Sequence, residues 1–327
     1  MPPPDAINWD PSVSPTEEAR RIVSYLVGLA FGRWALIPND AGVIEGLGGN
    51  PFEPIPASPP GMRKVSKENH ESLSVEVIAD DGTGSEGLGF TVSELLSQIW
   101  GDSNDDAEIS ICGSLKVADI GSYIRKPNGF FSDHLRAYSS NRRQAPIYWP
   151  LSTTSGSYTL WVYYPDLSSQ TLYTAINDFV EPKLKQVSAG VTALRDKGSA
   201  RTRDDEDQFE ALQALELEMI ELRDTLLKLA PTYKPNHDDG VQISAAPLWL
   251  LFRHKPWQKV LKHTWDELKK GDYDWAYLAM NYWPERVREK CKTDKSLAIA
   301  HGLEHLYIEP EAQPKKTRGQ KKAGGDE

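Results

Sequence analysis

In NRRQAPIYWPLSTTSGSY (Asn141–Tyr158), Arg142 and Arg143 lead into Tyr148, Trp149 and Pro150, and Ser152, Thr153, Thr154, Ser155 and Ser157 follow. These residue types suit a polyanion. A guanidinium is a planar fork that grips a phosphate through two N–H groups. Hydroxyls reach phosphate oxygens, and Tyr and Trp rings stack on bases or sugars. Gly156 gives the hydroxyl run room to approach a backbone. Between residues 125 and 149, Arg125, Lys126, Arg136, Arg142 and Arg143 face Asp133 alone. The candidate DNA-contact set has Arg142 and Arg143 holding phosphates. Lys126, His134 and Arg136 extend that surface, and Tyr148, Ser152, Thr153, Thr154, Ser155 and Ser157 shape it. The same residues also read as an ordinary sheet, with Tyr148, Trp149, Trp161 and Tyr163 in the core and the hydroxyls in a turn.

Other constellations carry less. Asp166 followed by Glu181-Pro182-Lys183 matches the letters of a metal-dependent nuclease motif, in which carboxylates hold Mg²⁺. Pro182 argues against the strand on which such a motif rides. His301 and His305 in HGLEH share one helical face, but a metal site needs a third ligand. GLGGNPF (Gly46–Phe52) and SPPG (Ser58–Gly61) echo cofactor and methyltransferase loops without completing either. Cys112 and Cys291 are the only cysteines, too few for a disulfide framework or a zinc site.

The elements that must position these residues are legible in part. SPTEEARRIVSYLVGLAFGRW predicts a helix capped by Ser14 or Thr16, with Ile22, Leu26, Leu29 and Ala30 on one face. SLSVEVIADDGTG predicts a short strand, TVSELLSQIWG a helix stopped by Gly101, and GSLKVADIGSYIRK another helix. SYTLWVYY has strand composition, and SQTLYTAINDFVEP fits strand or helix. Leu212, Leu215, Met219, Leu222, Leu226 and Leu229 alternate spacings of three and four, and Leu184, Val187, Val191 and Leu194 do the same. This predicts an antiparallel hairpin whose second arm spans roughly 33 Å, read as a spacer. Trp257, Leu261, Trp265 and Leu268 predict a core-facing helical stripe.

The chain of 327 residues carries a formal charge of −10, which argues against a wholesale nucleic-acid coat but not against a local patch. Residues 1–124 hold seven Lys/Arg against 19 Asp/Glu. No stretch reads as a signal peptide or as a membrane span of about 20 apolar residues, so the expectation is a soluble cytoplasmic protein with no membrane partner. The expected fold is α+β and mainly helical. Its expected parts are an N-terminal helical segment (1–37) and an acidic loop-rich α/β region (38–120). A basic, aromatic, β-containing DNA-contact segment (121–182), the hairpin spacer (183–230), a Trp-rich helical unit (231–308) and a basic disordered tail (309–327) complete it.

FFSDHLRAYSSNRRQAPIYWPLSTTSGSYTLWVYYPDLSSQTLYTAINDFVEPKL resembles the C-terminal part of the large adenine-specific DNA methyltransferases of bacterial phage defence. These are the BREX-type (PglX-like) enzymes and their restriction-modification and DISARM relatives. EEARRIVSYLVGLAFGRW, DGVQISAAPLWLLF and WDELKKGDYDWAYLAMNYWPERVREKCKTDKSLAIAHGLE resemble further segments in the same order, across most of residues 17–304. The family binds S-adenosylmethionine through a Gly-containing loop and methylates adenine N6 with an Asn-Pro-Pro-aromatic motif. Both elements precede the matched region, and this chain lacks them. The resemblance therefore implies the DNA-recognition and helical half without the catalytic half: a separately encoded subunit, a split gene or a remnant. It implies double-stranded DNA as a partner, and a catalytic methyltransferase chain or domain carrying S-adenosylmethionine. Other defence-system subunits are further candidate partners. No cofactor and no catalytic residue are expected in this chain itself. The arginine–aromatic stretch is shared by members that read different targets, so backbone positioning fits it better than base readout. The alternatives are a Mg²⁺-dependent nuclease built on Asp166, Glu181 and Lys183, or an interaction subunit whose leucine seam docks another chain.

Overall fold

The computed structural model describes residues 12–33, 75–82, 87–140 and 143–309. Helix α1 (Pro15–Ala30) starts where Ser14 Oγ accepts the Glu17 amide at 3.3 Å, with Pro15 in its first turn. Strand β1 (Val77–Asp80) leads to α2 (Leu88–Trp100), which Gly101 ends at φ 55°. Short helices α3 (Asn104–Leu115), α4 (Ile120–Arg125) and α5 (Phe130–Ala137) follow. A two-residue ladder, β2 (Ser139–Ser140) with β3 (Arg143–Gln144), then precedes the hairpin β4 (Tyr148–Ser152) and β5 (Thr159–Tyr163).

The main sheet has the order β1-β5-β4, with both pairings antiparallel. Val77 lies opposite Val162 and Tyr148 opposite Tyr163. All five residues of β5 are buried, so both faces of the sheet are covered. Pro150 is tolerated because β4 is an edge strand, where a missing N–H breaks no ladder. On one face, Phe31 stacks on Tyr148 at 5.1 Å, and Phe130 lies 5.7 Å from Trp161. On the other, Trp149 meets Phe252 at 6.2 Å.

The stretch 171–197 is helical throughout. It runs as α6 (Thr171–Thr174), a π-helical segment (Ala175–Val180) and α7 (Glu181–Lys197). Pro182 explains the wide turns. It has no N–H for the carbonyl four residues back, and its ring crowds that turn, so the ladder slips to a longer spacing just before it. A 3₁₀ turn at Gly198–Ala200 leads to α8 (Arg203–Leu229), 27 residues long and about 40 Å by helical rise. Thr202 and Asp205 form a reciprocal capping box at its start.

The predicted hairpin is present, and its seam is internal. Leu184, Met219, Leu222 and Leu226 belong to the main core, which gathers residues from Ala19 to Leu261. Val187, Val191 and Leu194 are buried but lie outside that core, so the far half of α7 is sealed against α8. The seam is thus filled from within the chain.

The chain ends in α9 (Val241–Ala245), α10 (Lys255–Lys270), α11 (Tyr277–Tyr282), α12 (Pro284–Cys291) and α13 (Lys295–Ala300). The predicted stripe holds, with Trp257, Leu261 and Leu268 buried on α10. Buried Asp239 accepts the Tyr277 and Leu278 amides at 2.8 and 2.9 Å, capping α11. Buried Asp274 pairs with Arg286 at 2.6 Å and with Lys290. No helix among the described residues is long and apolar enough to cross a membrane.

The hairpin makes a direct contrast. Leu222→Ala, at 2 % exposure, is expected to cost about 2–5 kcal/mol in urea unfolding. Leu217→Ala, at 69 % exposure on the same helix, should change stability by no more than about 0.5 kcal/mol. Equal losses would contradict the inward-facing seam.

Candidate nucleic-acid interface

The basic stretch does not form one surface. Arg142 lies outside the described residues. Arg143 is exposed on the short β2–β3 ladder opposite Ser140 and makes no ion pair among the described residues. Arg136 bonds Asp133 at 3.0 Å and lies 3.9 Å from Glu17. Lys126 follows α4, exposed and without an ion pair among the described residues.

His134 is the clearest departure from expectation. It is 3 % exposed and lies between Phe130 and Tyr138, with ring centroids 5.6 and 4.4 Å away. Its Nε2 accepts the Ile147 and Tyr148 amides at 2.9 and 3.3 Å. A ring that accepts at Nε2 is neutral, and burial, aided by the nearby Arg33 charge, pulls its pKa down to about 3. His134 pins the start of β4 to α5 and does not extend a phosphate surface. Tyr148 is 1 % exposed and packs against Phe31, Tyr163 and His134. It shapes the interior only.

The hydroxyl run ends β4 and forms the β4–β5 loop, and its hydroxyls are engaged within the protein. Ser152 Oγ shares a buried hydrogen bond with Thr159 Oγ1 at 2.8 Å. Thr153 is 1 % exposed and bonds across the loop to Tyr158. Thr154 Oγ1 donates to Glu221 at 3.3 Å. The amide and hydroxyl of Ser155 both donate to Glu218 Oε2, at 3.0 and 2.6 Å. Ser157 Oγ lies 2.7 Å from Ser155 Oγ, whose own proton faces the carboxylate, so Ser157 donates there. Burial works against the Glu218 charge, but bonds from Ser155 and Thr153 together with the Arg253 charge outweigh it and hold that carboxyl below its ordinary range. Thr154 and Ser155 therefore tie the loop to α8, while Ser152, Thr153 and Ser157 bond within the hairpin. Gly156, at φ 83°, supplies the left-handed turn.

What the loop shapes is a cleft of about 520 Å³ between the sheet and the α4–α5 connection. Arg125, Lys126 and Arg253 line it, with Ser122 and the β4–β5 loop at its rim and Phe131, Pro150 and Trp161 as its apolar part. Arg253 anchors the loop, donating to the Ser152 and Thr153 carbonyls at 2.6 Å each. Arg125 is held loosely, 3.8 Å from Asp80 and 4.0 Å from Asp119. Gly121 leaves its guanidinium space, since a Cβ there would sit 3.0 Å from Nη1. Among the described residues the one carboxylate in the lining, Asp81, bonds Lys183 at 2.7 Å. The lining thus holds three cations and one carboxylate among the described residues, with Asp80 and Asp119 close behind Arg125. Arg125 and Arg253 were absent from the candidate set, and Arg253 reaches the loop from 100 residues away.

The nuclease set is not assembled. Glu181 and Lys183 ride on α7, not on a strand, and Lys183 is committed to Asp81. Among the described residues no group of three His, Cys, Asp or Glu is placed to hold a metal ion. His301 ends α13 and meets the Asp274 carbonyl, while His305 sits in a separate 3₁₀ turn, so the two do not share a helical face. GLGGNPF, SPPG and the basic tail from residue 310 lie outside the described residues.

The buried imidazole has a pH signature. An unfolded histidine titrates near 6.5, and folded His134 near 3. Between those values only the unfolded chain holds the extra proton. His134 therefore costs stability as pH falls below about 6.5, and costs nothing above it. Its ring resonances in NMR should show no titration down to about pH 5; a midpoint near 6.5 would contradict the burial. A scan against protein-family models finds no match to this chain, and a search of curated proteins finds none.

Proposed function

We propose that this chain is the DNA-holding, non-catalytic portion of a cytoplasmic adenine-N6 DNA methyltransferase of a phage-defence system. Two things support the reading: the segment resemblances across residues 17–304, and the cleft of Arg125, Lys126 and Arg253. The cleft carries it. Arg125, Lys126 and Arg253 lining one cleft suit a phosphodiester backbone, which asks for positive charge and carries no sequence information. Lys126 and Arg125 are the contacting groups. Arg253 contributes charge while holding the loop carbonyls. Methyl transfer belongs to a partner chain or domain carrying S-adenosylmethionine. The protein's −10 charge makes the encounter local and orientation-dependent, because most of the surface repels DNA.

The salt dependence of duplex binding tests this. Arg125→Gln with Lys126→Gln should weaken binding for all sequences alike. It should also flatten the slope of log K against log salt by about 2, near one for each lost phosphate contact. An unchanged slope removes DNA from the cleft. A loss of slope confined to Arg142→Ala with Arg143→Ala would move the contact to the β2–β3 ladder.

A further inference from the structure

Arg125 lines the cleft and also sits near two carboxylates that lie behind it. Its Nη1 is 3.8 Å from Asp80 Oδ1, and its Nη2 is 4.0 Å from Asp119 Oδ1. Both are ion-pair distances and too long for hydrogen bonds. The planar N–H fork is therefore attracted to these carboxylates without being spent on either.

The two carboxylates are held differently. Asp80 is 3 % exposed and accepts the Gly82 and Gly89 amides at 3.0 and 3.3 Å, so it is a fixed part of the interior. The Asp119 side chain is 53 % exposed. Its Oδ1 accepts the Ser122 amide at 2.6 Å and caps α4. That cap needs a side-chain oxygen and not a charge, since Asn caps as well as Asp.

Gly121 lets Arg125 and Asp119 meet. A Cβ built there would lie 3.0 Å from Arg125 Nη1 and 3.2 Å from Asp119 Oδ1, and its three nearest atoms all belong to these two side chains. Gly121 is not one of the left-handed glycines, so its backbone conformation does not call for glycine. A methyl group at 121 would stand as a wedge between the guanidinium and the carboxylate.

We infer that Asp119 is a built-in competitor for the phosphate of the cleft, pairing with Arg125 across Gly121 and so setting how tightly the cleft holds a polyanion. A phosphodiester offers the fork two oxygens at hydrogen-bond distance, which Asp119 at 4.0 Å does not. DNA therefore takes Arg125, and breaking the Asp119 pair subtracts from its affinity. Asp119 is a positioning residue that acts through Arg125. The inference rests on the cleft being the duplex contact.

The test is duplex binding by the full chain, unsubstituted and as Asp119→Asn, Arg125→Gln and the double variant. Asp119→Asn should tighten binding about fivefold at low salt, the upper worth of an exposed ion pair. The gain should fade as salt rises. In the Arg125→Gln background it should shrink below about twofold, because the two side chains are coupled. Gly121→Ala removes no charge and should also tighten binding, by parting the pair. Misfolding cannot produce either gain. An unchanged affinity in Asp119→Asn, while Arg125→Gln weakens binding, overturns the inference and leaves DNA in the cleft. An equal gain in both Arg125 backgrounds overturns it too, reducing Asp119 to long-range repulsion. Failure of Gly121→Ala to tighten binding overturns the pairing across Gly121. If Arg125→Gln leaves duplex binding unchanged, the cleft reading falls and the inference falls with it.

Discussion

β5 is buried along its whole length on both faces, and the rest of the architecture answers that constraint. A strand with no wet face needs a layer on each side. The connections α1 to α5 supply one, through Phe31, Phe130 and His134. The Trp-rich C-terminal segment supplies the other, through Phe252. The cleft opens on the α1–α5 side at the loop end of the hairpin, beyond the reach of Phe31 and Phe130. Pro150, Ser152 and part of Trp161 border it there, and charged side chains from α4 and from Arg253 form its walls.

Charge is arranged in layers around that opening. Glu218 and Glu221 of α8 hold the outer side of the β4–β5 loop through Thr154 and Ser155. Arg253 holds its inner carbonyls. Pinned from both sides, the loop gives the cleft a fixed rim, and a preformed rim lowers the ordering cost of binding. Arg125 and Lys126 are the less restrained members.

Much of the scaffold was legible in the residues. Ser14 before Pro15, Gly101 after Trp100 and the leucine spacing of α7 and α8 are local signals, and each element formed as its signal required. The segment around Pro182 was ambiguous because a proline in mid-helix reads as a break, and a π-helical turn that absorbs it has no sequence signature. The site was legible only in part. Lys126 was named and does line the cleft, but His134 was taken for surface, since one histidine in a basic stretch carries no mark of burial. Thr154 and Ser155 read as free donors because their acceptors lie on α8, 67 and 63 residues away. Arg253 is likewise ordinary until the fold brings it to Ser152.

The central claim is that DNA lies in the cleft beneath the β4–β5 loop. Amide hydrogen exchange of the full chain, with and without a duplex, locates the contact directly. The account predicts slowed exchange in two stretches, residues 122–131 and 153–158, with the far half of the α7–α8 hairpin unchanged. Protection confined to the hairpin or to α11–α13, with those two stretches unaffected, would contradict it.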